Sequence, residues 1–224
     1  MFIGHYAIAL AAKKGARKVS LGTFILAAQF LDMLWPPLLL LGVEHVRIAP
    51  GITAFSPLDL YDYPISHSLL MSLVWSLLVG GIYHLFGRDK KGALVVGACV
   101  FSHWVLDFLT HRPDMPLMPG RTEYVGLGLW NSIPATIIVE SALFLAGIIL
   151  YVRTTKAVDA TGKYGFWAFI GFLSASYVIS IKSLSKVGDV DSASEYICTS
   201  GRIIARVQLR GTAVKLGKAA GKKK

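Results

Sequence analysis

Five stretches of this chain are apolar for about 20 residues at a time, the length an α-helix needs to cross the roughly 30 Å hydrocarbon core of a bilayer. They are residues 21–43, 64–86, 92–109, 129–152 and 165–181. Only 16% of residues are charged, where a soluble domain carries about 25%. The chain therefore reads as an integral membrane protein. In lipid every backbone polar group must be satisfied within the protein, which leaves helices or a closed barrel. A barrel requires alternating strands, and none are visible. The expected fold is all-α, a polytopic transmembrane helical bundle of about five spans. The third and fifth runs are the shortest and are expected to be tilted or partly submerged.

The chain starts with an apolar stretch, residues 2–12, followed by Lys13, Lys14, Arg17 and Lys18. That order is the reverse of a signal peptide, in which the charges come first. The stretch is too short to span and is expected to form an interfacial or re-entrant helix. Residues 13–18, 88–91 and 153–163 are basic, whereas 44–63 and 111–128 are acidic or neutral. The positive-inside rule places the three basic segments in the cytoplasm and the other two outside. Residues 1–181 then form the transmembrane domain. Residues 182–224 read as a basic, disordered or non-native tail carrying +7 of the chain's +10 charge. After five spans this tail lies outside, against the rule. Its basic residues have no interleaved aromatics, so no nucleic-acid partner is expected. Cys99 and Cys198 form no CxxC motif, and no glycine-rich nucleotide loop or nucleophile elbow is present.

Ionisable residues inside apolar runs are the functional signal. Each costs about 2.5 kcal/mol or more at the bilayer centre unless paired, hydrated or bound to metal. His103, Asp107 and His111, in FSHWVLDFLTH, recur at i, i+4 and i+8 and share one helix face. Asp32 lies midway along the first run, just before Pro36 and Pro37, which are expected to kink that helix and free carbonyls near the site. His67 opens the second span, and Asp62 is close enough in sequence to orient its ring. Glu140 lies about ten residues into the fourth run. His5 is the sole ionisable residue of the first twelve, and reaches the others only if its helix inserts between them. His45 and His84 read as interfacial, and Asp59 as a loop acid.

At these residues the chain resembles the bacterial YdjM-like integral membrane proteins, a group described as membrane-bound metal-dependent hydrolases. The matching elements are MFIGHYA, AAQFLD, ISHSLL and SHWVLDFLTH, and the likeness covers about residues 1 to 175. It implies a multi-pass protein of the bacterial inner membrane with a divalent metal. The order His5, Asp32, His67, His103, Asp107 is also similar to the ligand order of bacterial zinc-dependent phospholipases C, an analogy of pattern only. The family's last part normally continues with a proline-rich loop and a further span. Residues 174–224 show neither, which puts the fifth span in doubt.

The expected activity is a metal-dependent hydrolase acting on a lipid or lipid-linked phosphoester through activated water. His5, Asp32, His67, His103 and Asp107 are the expected metal ligands, and Glu140 or His111 the general base. Imidazole and carboxylate donors favour Zn²⁺, with Mn²⁺ and Fe²⁺ as alternatives. Membrane lipid is the expected partner. The rival reading is a transporter or channel in which the same His and Asp residues form an ion or proton pathway.

Overall fold

The computed structural model describes residues 1–187, and the expectations for the tail beyond them, Cys198 included, lie outside the described residues. Eight α-helices make up most of what is described: α1 (Ile3–Gly15), α2 (Leu21–Ala28), α3 (Phe30–Leu40), α4 (Pro64–His67), α5 (Leu69–Gly87), α6 (Lys90–Thr110), α7 (Ile133–Thr154) and α8 (Ala160–Val187). Among the described residues, α5, α6, α7 and residues 160–182 of α8 are each long and apolar enough to cross a membrane. The bent pair of α2 and α3 makes up to five spans. The all-α polytopic bundle is therefore what the chain forms. The third and fifth apolar runs both extend into full-length helices, and α8 passes straight through residue 181.

The central element is α6. Its buried residues Val96, Val100, His103, Asp107 and Thr110 recur every three or four positions, so one stripe carries both core packing and the polar site. Helix α5 lies close beside it because glycines face backbone: a Cβ on Gly80 would stand 3.0 Å from the Ala93 carbonyl oxygen, and one on Gly97 would stand 3.0 Å from that of Ser76. Ser76 Oγ adds a hydrogen bond to the Gly97 carbonyl at 2.6 Å. Small residues of this kind let membrane helices approach where lipid offers no hydrophobic drive. The other faces carry exposed Leu77, Leu85, Leu94, Ile138 and Phe172, as lipid-facing surfaces do.

The first helix inserts. Ile3, His5, Ala7, Ala9 and Leu10 are buried, and α1 packs against α2, α6 and α7. Its crossing with α7 is the tightest in the bundle for which a glycine is responsible, since a Cβ on Gly147 would meet the Ala7 carbonyl oxygen at 2.6 Å. At its other end Lys13 Nζ closes the turn into α2 by donating to the carbonyls of Arg17 (2.7 Å) and Val19 (2.6 Å).

Three local features differ from the sequence reading. The first apolar run breaks at Gln29, two turns ahead of the prolines, with α2 and α3 at 50°; Pro36 and Pro37 sit inside α3. The second span starts at Leu69, because Ser68 is extended and caps α5 by accepting from the Met71 amide. The two connections read as outer loops each hold a short antiparallel hairpin. One pairs β1 (His45–Ile48) with β2 (Leu58–Asp62), the other β3 (Met115–Pro116) with β4 (Tyr124–Val125). Outside the helices, strand pairing is how these segments satisfy their backbone groups; neither hairpin extends into a larger sheet.

Gly147→Val forces α1 away from α7 and is expected to cost roughly 1–3 kcal/mol, the ordinary range for overpacking. A thermal melt in detergent reads this as a lowered midpoint. Gly81→Ala, in α5 with nothing within 4 Å of the new methyl, is the control that leaves the midpoint unchanged or raised.

Candidate metal centre

Five side chains from four helices converge on one buried point. Asp32 comes from α3 just past the break, His67 from the end of α4, His103 and Asp107 from successive turns of α6, and His5 from the inserted α1. Asp107 is the hub. Its Oδ1 lies 3.2 Å from His5 Nε2 and 4.0 Å from His111 Nε2, while its Oδ2 lies 3.1 Å from His103 Nε2 and 3.8 Å from His67 Nε2. Asp32 Oδ1 stands 3.4 Å from His103 Nε2 and 3.5 Å from His67 Nε2. The Met1 amine sits 2.6 Å from Asp107 Oδ1.

Hydrogen bonds on the far side of the His67, His103 and His111 rings place a proton on Nδ1. His103 Nδ1 lies 2.7 Å from the Ala28 carbonyl oxygen. A carbonyl only accepts, so Nδ1 is the donor and Nε2 of the neutral ring is bare. The break at Gln29 leaves this carbonyl free for the task. His67 Nδ1 lies 2.6 Å from Ser66 Oγ, whose own proton goes to Glu44 Oε2 at 2.6 Å; Nδ1 therefore donates and Nε2 is again bare. Glu44 is fully buried and also accepts the Ile65 and Ser66 amides at 2.8 and 2.7 Å through Oε1. His111 Nδ1 lies 3.2 Å from Asp114 Oδ1, so its Nε2 is the bare nitrogen facing Asp107.

In their neutral form these imidazoles turn bare nitrogens toward carboxylate oxygens, lone pair against lone pair; protonated, they would pair with them as ions. His103 Nε2 and both nitrogens of His5 are buried without a hydrogen bond, although Asp107 is within 3.2 Å of each ring. A buried arrangement of this kind is stable only with positive charge among the donors. The ligand atoms of His5, His103 and Asp107 lie within 4.8 Å of one another, as do those of Asp32, His67 and His103. Nitrogen and carboxylate donors in such groups suit a divalent transition metal.

The rim differs by side. Toward the outer connection, Tyr63 stacks on His111, donates to Asp114 Oδ1 at 3.2 Å and is 2% exposed. Burial, then the charges of Asp114 and Asp107, push its phenol well above the usual range, so it remains a donor. Trp130 also packs against His111, its ring centroid 4.3 Å away. Asp59, buried rather than a free loop acid, ties Arg47 and Arg112 to this roof. Asp32 is the open flank: its side chain is 45% exposed while those of His5, His67, His103 and Asp107 are at most 5%, and Met33 and Leu26 nearby in sequence are exposed.

Of the residues singled out by sequence, five carry the convergent donors, and His111 stands at their edge. Glu140 is buried in α7 and its Oε2 accepts the amides of Phe2 and Ile3, both at 3.0 Å, which holds the start of α1 in place; its Oε1 has no hydrogen bond. Asp62 does not orient His67. It pairs with His45 at 2.8 Å on the surface, and Ser66 takes the orienting role because it is the side chain adjacent to the ring. Ser66 stood beside His67 in the sequence, whereas Glu44, Tyr63 and Asp114 were invisible as site residues. Glu44 acts from 22 positions away, and no local spacing marks it.

Residues 1–187 match the family model described as YdjM inner membrane protein. The chain belongs to that family and is a multi-pass protein of the inner membrane. No curated protein and no solved structure matches it significantly.

Glu140→Ala strips two amides at the start of α1 of their acceptor and is expected to cost roughly 1–3 kcal/mol, read as a lowered melting midpoint in detergent. Glu140→Gln keeps an acceptor oxygen and recovers part of the loss.

Proposed function

We propose that this member of the YdjM family is a membrane-bound metal-dependent hydrolase whose substrate is a phosphoester carried by a lipid. The observation that supports it most is the set of bare Nε2 atoms of His67 and His103, held by the Glu44–Ser66 relay and the Ala28 carbonyl, facing the carboxylates of Asp32 and Asp107. A structural ion pair has no need of two imidazoles with their protons tied on the far side. Ligand histidines in metal sites do show this arrangement, with the second nitrogen bonded to a carboxylate or carbonyl that sets tautomer and orientation.

Asp32, His67, His103 and Asp107 would hold the cation, zinc being the best match to these donors. A divalent cation here supplies Lewis acidity and lowers the pKa of bound water toward about 7. The protein's own part is positioning and proton handling. His111, oriented by Asp114 and packed against Trp130, presents a bare Nε2 that can take a proton at the edge of the donors and return it to a leaving group. The roof of Tyr63, His111 and Trp130 limits water from the outer side, while the open flank at Asp32 lies within a segment that counts toward a membrane span. A substrate reaching Asp32 from that side comes through lipid, which favours a lipid-borne molecule over a soluble one.

Detergent-purified protein is expected to carry zinc or a related divalent metal by elemental analysis, and His103→Ala to lose most of it. Equal metal in parent and variant would contradict the reading. Ser66→Ala and Glu44→Gln leave the ligands in place but unhook His67, and are expected to weaken zinc binding about 10- to 100-fold, the usual cost of losing an orienting partner. Metal titration against a chromophoric chelator measures it. Phospholipid and lipid-linked phosphodiesters are the substrates to assay, with water-soluble phosphodiesters as the comparison expected to react more slowly.

A further inference from the structure

The rings of His5 and His103 stack face to face, their centroids 3.7 Å apart and their planes tilted by only 2°. An imidazole nitrogen binds a metal along its lone pair, which lies in the ring plane, at about 2.0–2.1 Å for zinc. Two parallel, stacked rings therefore cannot direct their lone pairs at one ion. An ion in the plane of His103 lies above the face of His5, where that ring has only its π-system to offer. His5, His103 and Asp107 are close enough to look like a single three-ligand site, yet the ring geometry divides them.

Asp107 is divided in the same way. Its Oδ2 faces His103 and His67, whereas its Oδ1 faces His5, His111 and the Met1 amine. Asp32 faces only the first group, with contacts to His67 and His103. We infer that the centre takes two divalent cations bridged by the carboxylate of Asp107: one held by Asp32, His67 and His103, the other by His5 on the Oδ1 side beside the Met1 amine, with His111 left as the proton acceptor. The fully buried His5, neither of whose nitrogens has a hydrogen bond, is the residue that a single-ion site leaves without purpose. Two-metal hydrolytic sites hold their ions about 3.5–4 Å apart, a spacing that matches the stacking of the two rings.

This inference rests on the metal-binding reading above, and the test separates the two. Full-length protein in detergent is stripped with chelator, reloaded with zinc and assayed for metal per chain; a second sample is loaded with Mn²⁺ and examined by electron paramagnetic resonance. About two zinc ions per chain are expected in the parent, and about half as many in His5→Gln. The manganese sample is expected to show the spin-coupled signal of a bridged pair, replaced in His5→Gln by the six-line signal of an isolated ion. One ion per chain in the parent, with His5→Gln unchanged and no coupled signal, would mean that the Met1 amine alone serves Asp107 Oδ1. That result overturns the paired site and leaves the hydrolase reading standing. No metal in the parent overturns both. Should His5→Gln fail to fold, the coupling signal of the parent decides by itself.

Discussion

Asp107 governs this structure. A lone carboxylate inside a membrane helix costs about 2.5–3.5 kcal/mol even on the most lenient scale, and this one is met by groups from α1, α4 and α6. α1 inserts to bring His5 and the Met1 amine to its Oδ1, while α4 and the rest of α6 bring His67 and His103 to its Oδ2. The insertion of α1 itself depends on two devices: Gly147, which lets the helix lie against α7, and Glu140, which receives the first amides. Fold and site are thus one construction. The helix that completes the donor set is also a wall of the core.

The irregularities of the bundle have a common cause. A continuous helix through residues 21–40 would keep the Ala28 carbonyl in its own ladder. The break at Gln29 releases it to accept from His103. Likewise the break at Ser68 ends α4 at His67, so the ring can lean on Ser66 while Glu44 caps the helix start. Non-helical backbone at membrane depth survives only where protein buries it or a polar cavity needs it. Here both breaks serve the orientation of an imidazole.

Much of the fold was legible in the sequence because lipid imposes a simple rule. Apolar runs of sufficient length become helices. The inserted N-terminal helix was also readable, since His5 has no other ionisable neighbour in its stretch and no reason to sit in lipid alone. What hydropathy does not encode is where a run breaks. The Pro36–Pro37 pair lies inside α3, whereas the run breaks at Gln29, where the Ala28 carbonyl meets His103. For the donors, helical spacing tied His103 to Asp107, and each remaining residue stood out as a charge in an apolar setting. The supporting groups had no such signal. Glu44 and Asp114 lie in segments where acids are ordinary, and only the hairpin and the roof over Tyr63 bring them inward.

X-ray absorption at the zinc edge on detergent-purified protein tests the central claim most directly, because it reads the donor atoms themselves. The expected spectrum is a shell of nitrogen and oxygen near 2.0–2.1 Å with the multiple-scattering pattern of several imidazoles and no sulfur. A sulfur shell near 2.3 Å, or zinc surrounded by water oxygens without imidazole scattering, would contradict it.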